Sequence, residues 1–204
     1  AATVTVQTEK TPLQIALPEG YCALDEKNEG HKKIIDYAKG QSQGQNEVLV
    51  LSAPCAETDE LATGKIKSLS TSFIVLAPTQ AKGLDLTGQE SKSLTGVCQD
   101  LKRASGGGSS EPDLGRLEAQ VAAVLEHLKS GDLVPIGLYR EGAGYCMNGF
   151  ALKRDGADGK PRPSVILSGM AVWKGVMVQA LHTIVYGERL YLQRDIEALE
   201  SNLQ

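Results

Sequence analysis

A chain of 204 residues can bury a sizeable core but is short for two large domains, so one α+β domain over residues 1–204 is expected. A formal charge of −4, with 21 basic and 25 acidic side chains interspersed, and an aromatic content of 4% provide neither a cationic field nor a stacking platform for nucleic acid. Hydrophobic residues reach an ordinary 41%, and no apolar run approaches the roughly 18 residues of a membrane-spanning helix, which argues against membrane insertion.

From the start of the chain, Thr3 to Thr8 alternates Val4 and Val6 with polar neighbours and predicts a short edge strand. Leu13, Ile15 and Leu17 alternate up to Pro18-Glu19-Gly20, after which Tyr21-Cys22-Ala23-Leu24 resumes, so two strand pieces joined by a turn are expected. Asp25 or Asn28 can cap a helix with apolar positions Ile34, Ile35 and Ala38 that ends at Gly40, and Gln41 to Asn46 reads as a polar loop. Val48 to Leu51 has the uninterrupted apolar character of a covered strand, closed by Ser52-Ala53-Pro54-Cys55. Glu57 to Gly64 predicts a single helical turn. Ser72 to Ala77 is the next strand, stopped by Pro78, and Gly83 to Thr87 is a loop.

Leu94, Val97, Cys98 and Leu101 recur at helical intervals over Gln89 to Arg103, turning Cys98 inward, although Gly96 weakens that helix. Ala104 to Ser110 is Gly/Ser-rich, the composition of a flexible surface loop. A phosphate-binding loop would need Lys-Ser or Lys-Thr after the glycines and a strand before them, and neither is present. Glu111-Pro112-Asp113 opens a helix whose stripe is Leu114, Leu117, Val121, Val124 and Leu128, ending near Ser130-Gly131. Val134 to Arg140 and Tyr145 to Lys153 pair as a hairpin around Glu141 to Gly144.

The segment from Pro163 onward is the least ambiguous. Val165 to Trp173 and Val176 to Tyr186 are strands joined through Lys174-Gly175, and apolar side chains on both faces predict a central hairpin covered on both sides. From Arg189 the period becomes helical, with Leu192, Ile196, Leu199 and Leu203 forming one stripe. The element order does not alternate as a Rossmann sheet does. It predicts a mainly antiparallel sheet with helices packed on its faces.

Cys22, Cys55, Cys98 and Cys146 show no C-x-x-C and no Cys-His spacing of a zinc site. Two disulfides in an oxidising compartment fit this even, scattered set, with four buried free thiols as the alternative. If the Tyr21 segment pairs with Val48 to Leu51, Cys22 and Cys55 come within bridging distance. By elimination Cys98 then joins Cys146. The Ala-Ala-Thr start lacks an initiator Met and resembles the product of signal-peptide cleavage, pointing to a periplasmic or secreted protein.

No G-x-S-x-G elbow or cysteine-protease context accompanies His31, His127 or His182, and no catalytic residue is predicted. His127 reads as a solvated helix residue. His182, within the last strand, must satisfy two ring nitrogens; a structural role is the simpler account, and ligand binding is the functional one. Asp155, Gly156, Asp158 and Gly159 contain part of a calcium loop but lack the EF-hand spacing and terminal Glu, and Glu57, Asp59 and Glu60 read as a solvated turn. Neither a metal nor a cofactor is predicted.

Leu17-Pro18-Glu19-Gly20-Tyr21-Cys22-Ala23-Leu24-Asp25, with Ser52-Ala53-Pro54-Cys55-Ala56-Glu57, resembles the start of a group of secreted proteobacterial proteins of unknown function. The element order is similar to that of the PsbP-like αβα sandwich. That likeness implies an accessory, non-catalytic protein that binds or assists a larger assembly. The expectation is therefore a periplasmic or secreted accessory or binding protein whose partner is a protein or small ligand of the cell envelope. The competing readings are an envelope hydrolase or thiol enzyme using His182 with Cys146, and an envelope structural subunit.

Overall fold

The computed structural model describes residues 2–106, 114–155, 159–185 and 192–203. Two strands, β1 (Thr3–Gln7) and β2 (Pro12–Ala16), form a separate antiparallel ribbon in which Val4 faces Ile15 and Val6 faces Leu13. The remaining strands are β3 (Tyr21–Ala23), β4 (Asn46–Pro54), β5 (Thr71–Pro78), β6 (Leu133–Gly142), β7 (Tyr145–Asp155), β8 (Pro161–Trp173) and β9 (Val176–Val185). They form one seven-stranded antiparallel sheet in the order β3-β4-β5-β9-β8-β7-β6. The helices are α1 (Glu29–Ser42), α2 (Cys55–Ala62), α3 (Glu90–Ala104), α4 (Leu114–His127) and α5 (Leu192–Leu203). The molecule is thus a mixed α+β fold with helices on both faces of a mainly antiparallel sheet.

The β8–β9 hairpin lies within the sheet interior. β9 closes the sheet by pairing with β5 from Thr71↔Ile184 to Leu76↔Gln179, a contact that links two meanders distant in sequence. At the hairpin turn Lys174 has φ 48° and Gly175 φ 77°, the two left-handed residues of a type I′ turn, whose twist matches that of the strands.

Alternation along the strands sends side chains to two faces with different covers. The first face carries Phe73, Val75, Val165, Leu167, Val178 and Ala180, all fully buried beneath α4, α5 and the β1–β2 ribbon. Gly169 has no side chain because Leu203 of α5 fills that space: a Cβ there would stand 2.4 Å from Leu203 Cδ1. The second face is covered in two separate places. Ile34 and Ile35 of α1 and Leu61 of α2 pack on Leu51, while Leu94 of α3 packs with Tyr139, Cys146 and Met170.

Several boundaries differ from the expectation. Ser52 to Pro54 do not close β4; they are its last residues, since Tyr21↔Pro54 to Ala23↔Ser52 gives this end a partner strand. The Pro18 to Gly20 turn carries the chain from the ribbon into the main sheet rather than along one strand. α1 is capped by Asn28, whose side chain accepts from the His31 N–H, and runs past Gly40 to Ser42. α2 has eight residues instead of a single turn, because Thr58 and Leu61 are buried and hold it against the sheet. The buried stripe of α4 is Leu117, Val121, Leu125 and Leu128; Leu125 occupies the inward position, and Val124 is only half-buried. Of the Gly/Ser-rich stretch, Ala104 ends α3 and Ser105 is buried, its hydroxyl donating to the Lys102 carbonyl at 2.7 Å. Residues 107–110, Pro112, Asp113, Gly156, Asp158, Tyr186 and Arg189 lie outside the described residues. No helix among the described residues is long and apolar enough to cross a membrane.

Candidate functional site: a groove on the sheet between two helices

Both pairs of cysteines are joined. Cys22–Cys55 links β3 to the first residue of α2 with Cα atoms 4.9 Å apart, and Cys98–Cys146 links α3 to β7 at 5.8 Å. Neither bridge could be placed from sequence spacing alone; each follows from a strand or helix covering its partner. The second bridge fixes α3 over β7 and β8, so it also determines where the cover of this face stops.

α1 sits over β4, and α3 sits over β6, β7 and one end of β8. Between them β5, β9 and the beginning of β8 present side chains to a groove that encloses about 150 Å³. Its floor is Ile74 of β5, Leu181 and Thr183 of β9 and Ile166 of β8, brought side by side by the register Ile74↔Leu181 and Ile166↔Thr183. All four are half-buried, in contrast to Phe73, Leu167 and Ala180 on the other face. The expected two-sided cover of the hairpin is therefore complete on one face and partial on the other.

One wall is the second half of α1, with Tyr37, Ala38 and Gln41. Ala38 is small, which keeps the helix from filling the space it borders. The Ser68–Ser70 loop closes the near end of that wall. It is held from behind by Glu57 of α2, whose carboxylate accepts from the Ser70 N–H at 2.8 Å and from the Ser70 hydroxyl at 2.5 Å. Glu57 is thus part of the groove's scaffold, and Glu60 of the same acidic cluster pairs with Lys65 at 2.6 Å. Arg162 and Ser164, at the start of β8, border the opposite side. The lining is otherwise apolar, hydroxyl or amide in character, and Arg162 is its only charged residue.

The histidines lie elsewhere. His182 is in the strand that floors the groove, but it alternates away from Leu181 and Thr183 and points to the opposite face. There it is 2% exposed, stacks edge-on to Phe73 and Tyr21, and its Nε2 lies 3.1 Å from the Tyr21 hydroxyl. It faces the main core rather than the groove. His127 is exposed on α4. His31 is buried and bonded through both ring nitrogens.

The pairing of His182 with Cys146 as a thiol–imidazole site is corrected by this geometry. Cys146 is fully buried with its sulfur bonded to Cys98, and it packs on the second face with Tyr139 and Met170. His182 is paired through β8 with Leu167, on the first face. The sheet separates the two side chains. Among the described residues, no group of three or more His, Cys, Asp or Glu side chains is placed to hold a metal ion.

Arg162, Thr183 and Tyr37 had no signal as site residues in the sequence, because each is unremarkable in its own segment. The available hint was polar substitution on one side of the hairpin: Ser164, Ser168 and Thr183 interrupt the apolar run only on the second face. No family model, curated protein or solved structure matches the chain, so the groove is described by its own geometry.

Proposed function

We propose that the protein is a periplasmic or secreted binding protein that acts without catalysis and takes a small, mainly apolar ligand in the groove between α1 and α3. The observation that carries this reading is the incomplete cover of the sheet. Half-buried Ile74, Ile166, Leu181 and Thr183 form a contiguous concave floor in the sheet centre, where a packed helix would ordinarily lie. The two disulfides support a compartment in which thiols are oxidised. The likeness to secreted proteobacterial proteins and to the PsbP-like sandwich belongs to the same reading, since both imply an accessory role.

The test is a ligand-observed NMR screen of small apolar and amphipathic compounds against the oxidised protein, with hits mapped by amide shift changes. Binders that shift Ile74, Ile166 and Thr183 support the reading. Binders that shift only residues outside the groove, or the absence of any binder, overturn it.

A further inference from the structure

We propose that the groove's ligand is a single-chain amphipath with a carboxylate head, with its apolar chain on the floor and its head at Arg162. This proposal rests on the binding role given above and specifies the chemistry of the ligand. The first observation is shape. The floor follows the strand direction from Val185 to Leu181 on β9 and from Ser72 to Leu76 on β5, four residue steps each, or about 13 Å of extended backbone. Such a trough accommodates a chain better than a compact ring system.

The second observation is the distribution of polarity. Ile74, Leu76, Ile166 and Leu181 supply apolar contact along the trough, and Arg162 supplies its one formal charge at the end occupied by Val185 and Ser164. A guanidinium offers a planar pair of donors matched to the two oxygens of a carboxylate. The charge balance also selects a monoanion. Glu57 stands behind Ser70 at that same end of the trough, and its negative charge opposes a head carrying nearly two charges, such as a phosphate monoester.

The experiment measures binding of dodecanoate, dodecan-1-ol and dodecyl phosphate by isothermal titration below their aggregation concentrations. It uses the intact oxidised chain and the variants Arg162→Gln, Arg162→Lys and Thr183→Phe. Dodecanoate is expected to bind roughly tenfold or more tightly than the alcohol, and Arg162→Gln to abolish that difference while leaving alcohol binding unchanged. Arg162→Lys should restore part of the preference. Thr183→Phe, which places a ring on the trough floor, should weaken acid and alcohol alike. Circular dichroism and thermal unfolding confirm that each variant is folded.

Equal affinity for acid and alcohol, or a preference that survives Arg162→Gln, overturns the assignment of the head group while leaving the binding role standing. Tighter binding of the phosphate than of the carboxylate overturns the monoanion assignment. Binding untouched by Thr183→Phe places the ligand outside the trough, and absence of binding by all three compounds overturns the assignment of the chain; in both cases the NMR screen judges the broader role separately.

Discussion

The ring of His31 accepts from the Asp25 N–H at 3.0 Å through Nδ1, so the proton resides on Nε2, which donates to the Thr58 carbonyl at 2.8 Å. One side chain thus ties the loop after β3, the first turn of α1 and α2 together behind the groove wall. His31→Ala is expected to lower stability by roughly 1–3 kcal/mol, because it leaves a partly buried N–H and a carbonyl without partners. The shift should appear in the urea midpoint with an unchanged slope. Tyr139 offers a second residue-scale test. It is 2% exposed, and burial, reinforced by the Glu141 carboxylate that accepts its hydroxyl at 2.9 Å, pushes its pKa up to about 12. Spectrophotometric titration should show one late phenol, which Tyr139→Phe removes. The unfolded chain releases this proton near its ordinary value, so the contribution to stability is full below about pH 10 and is lost as pH rises toward 12.

At the scale of elements, the β8–β9 turn is over-determined. Gly175 has φ 77°, and a Cβ there would lie 2.5 Å from Thr87 Oγ1 and 2.6 Å from Asp85 Oδ1; the Leu86 N–H also donates to the Gly175 carbonyl at 2.9 Å. Gly175→Ala therefore combines backbone strain with a clash, and a loss of about 1–3 kcal/mol is expected in chemical denaturation. Lys174, at φ 48°, occupies the other left-handed position. Lys174→Asn should stabilise the hairpin by a few tenths of a kcal/mol, since Asn tolerates this conformation better. α5 depends on a different kind of fit. It approaches β8 over Gly169 and is further held by Glu200, which accepts from Arg140 and from the Tyr145 hydroxyl at 2.8 Å.

Across the whole molecule, the two bridges close stretches with sequence separations of 33 and 48 residues. Chain-entropy reasoning assigns each a stabilisation of about 4 kcal/mol, with native-state effects able to reduce it. Native alkylation should label no cysteine, and reduction should expose all four. The Cys98→Ala/Cys146→Ala pair should lower stability by about 2–4 kcal/mol in urea and loosen α3 from the sheet. That loosening would be read as faster hydrogen exchange at Leu94 and Leu101 than the Cys22→Ala/Cys55→Ala pair produces. Equal exchange in the two variants would show that α3 is held by its apolar contacts alone.

The sequence by itself determined most of the elements and the disulfide pairing. The β8–β9 hairpin, the strands around Val50 and Val75 and the stripes of α4 and α5 were legible because period-2 and period-3.6 patterns are local, and Lys174-Gly175 names its turn type within two residues. Only the tertiary structure decided which faces those patterns turn to which cover. β9 pairs with β5 across a long sequence separation, and that pairing alone aligns Ile74, Leu181 and Ile166 into one floor and sends His182 to the other face, away from Cys146. The groove was illegible for the same reason. It is a space left between α1 and α3, and where two helices stop covering a sheet is set by three-dimensional packing that no single segment of sequence records.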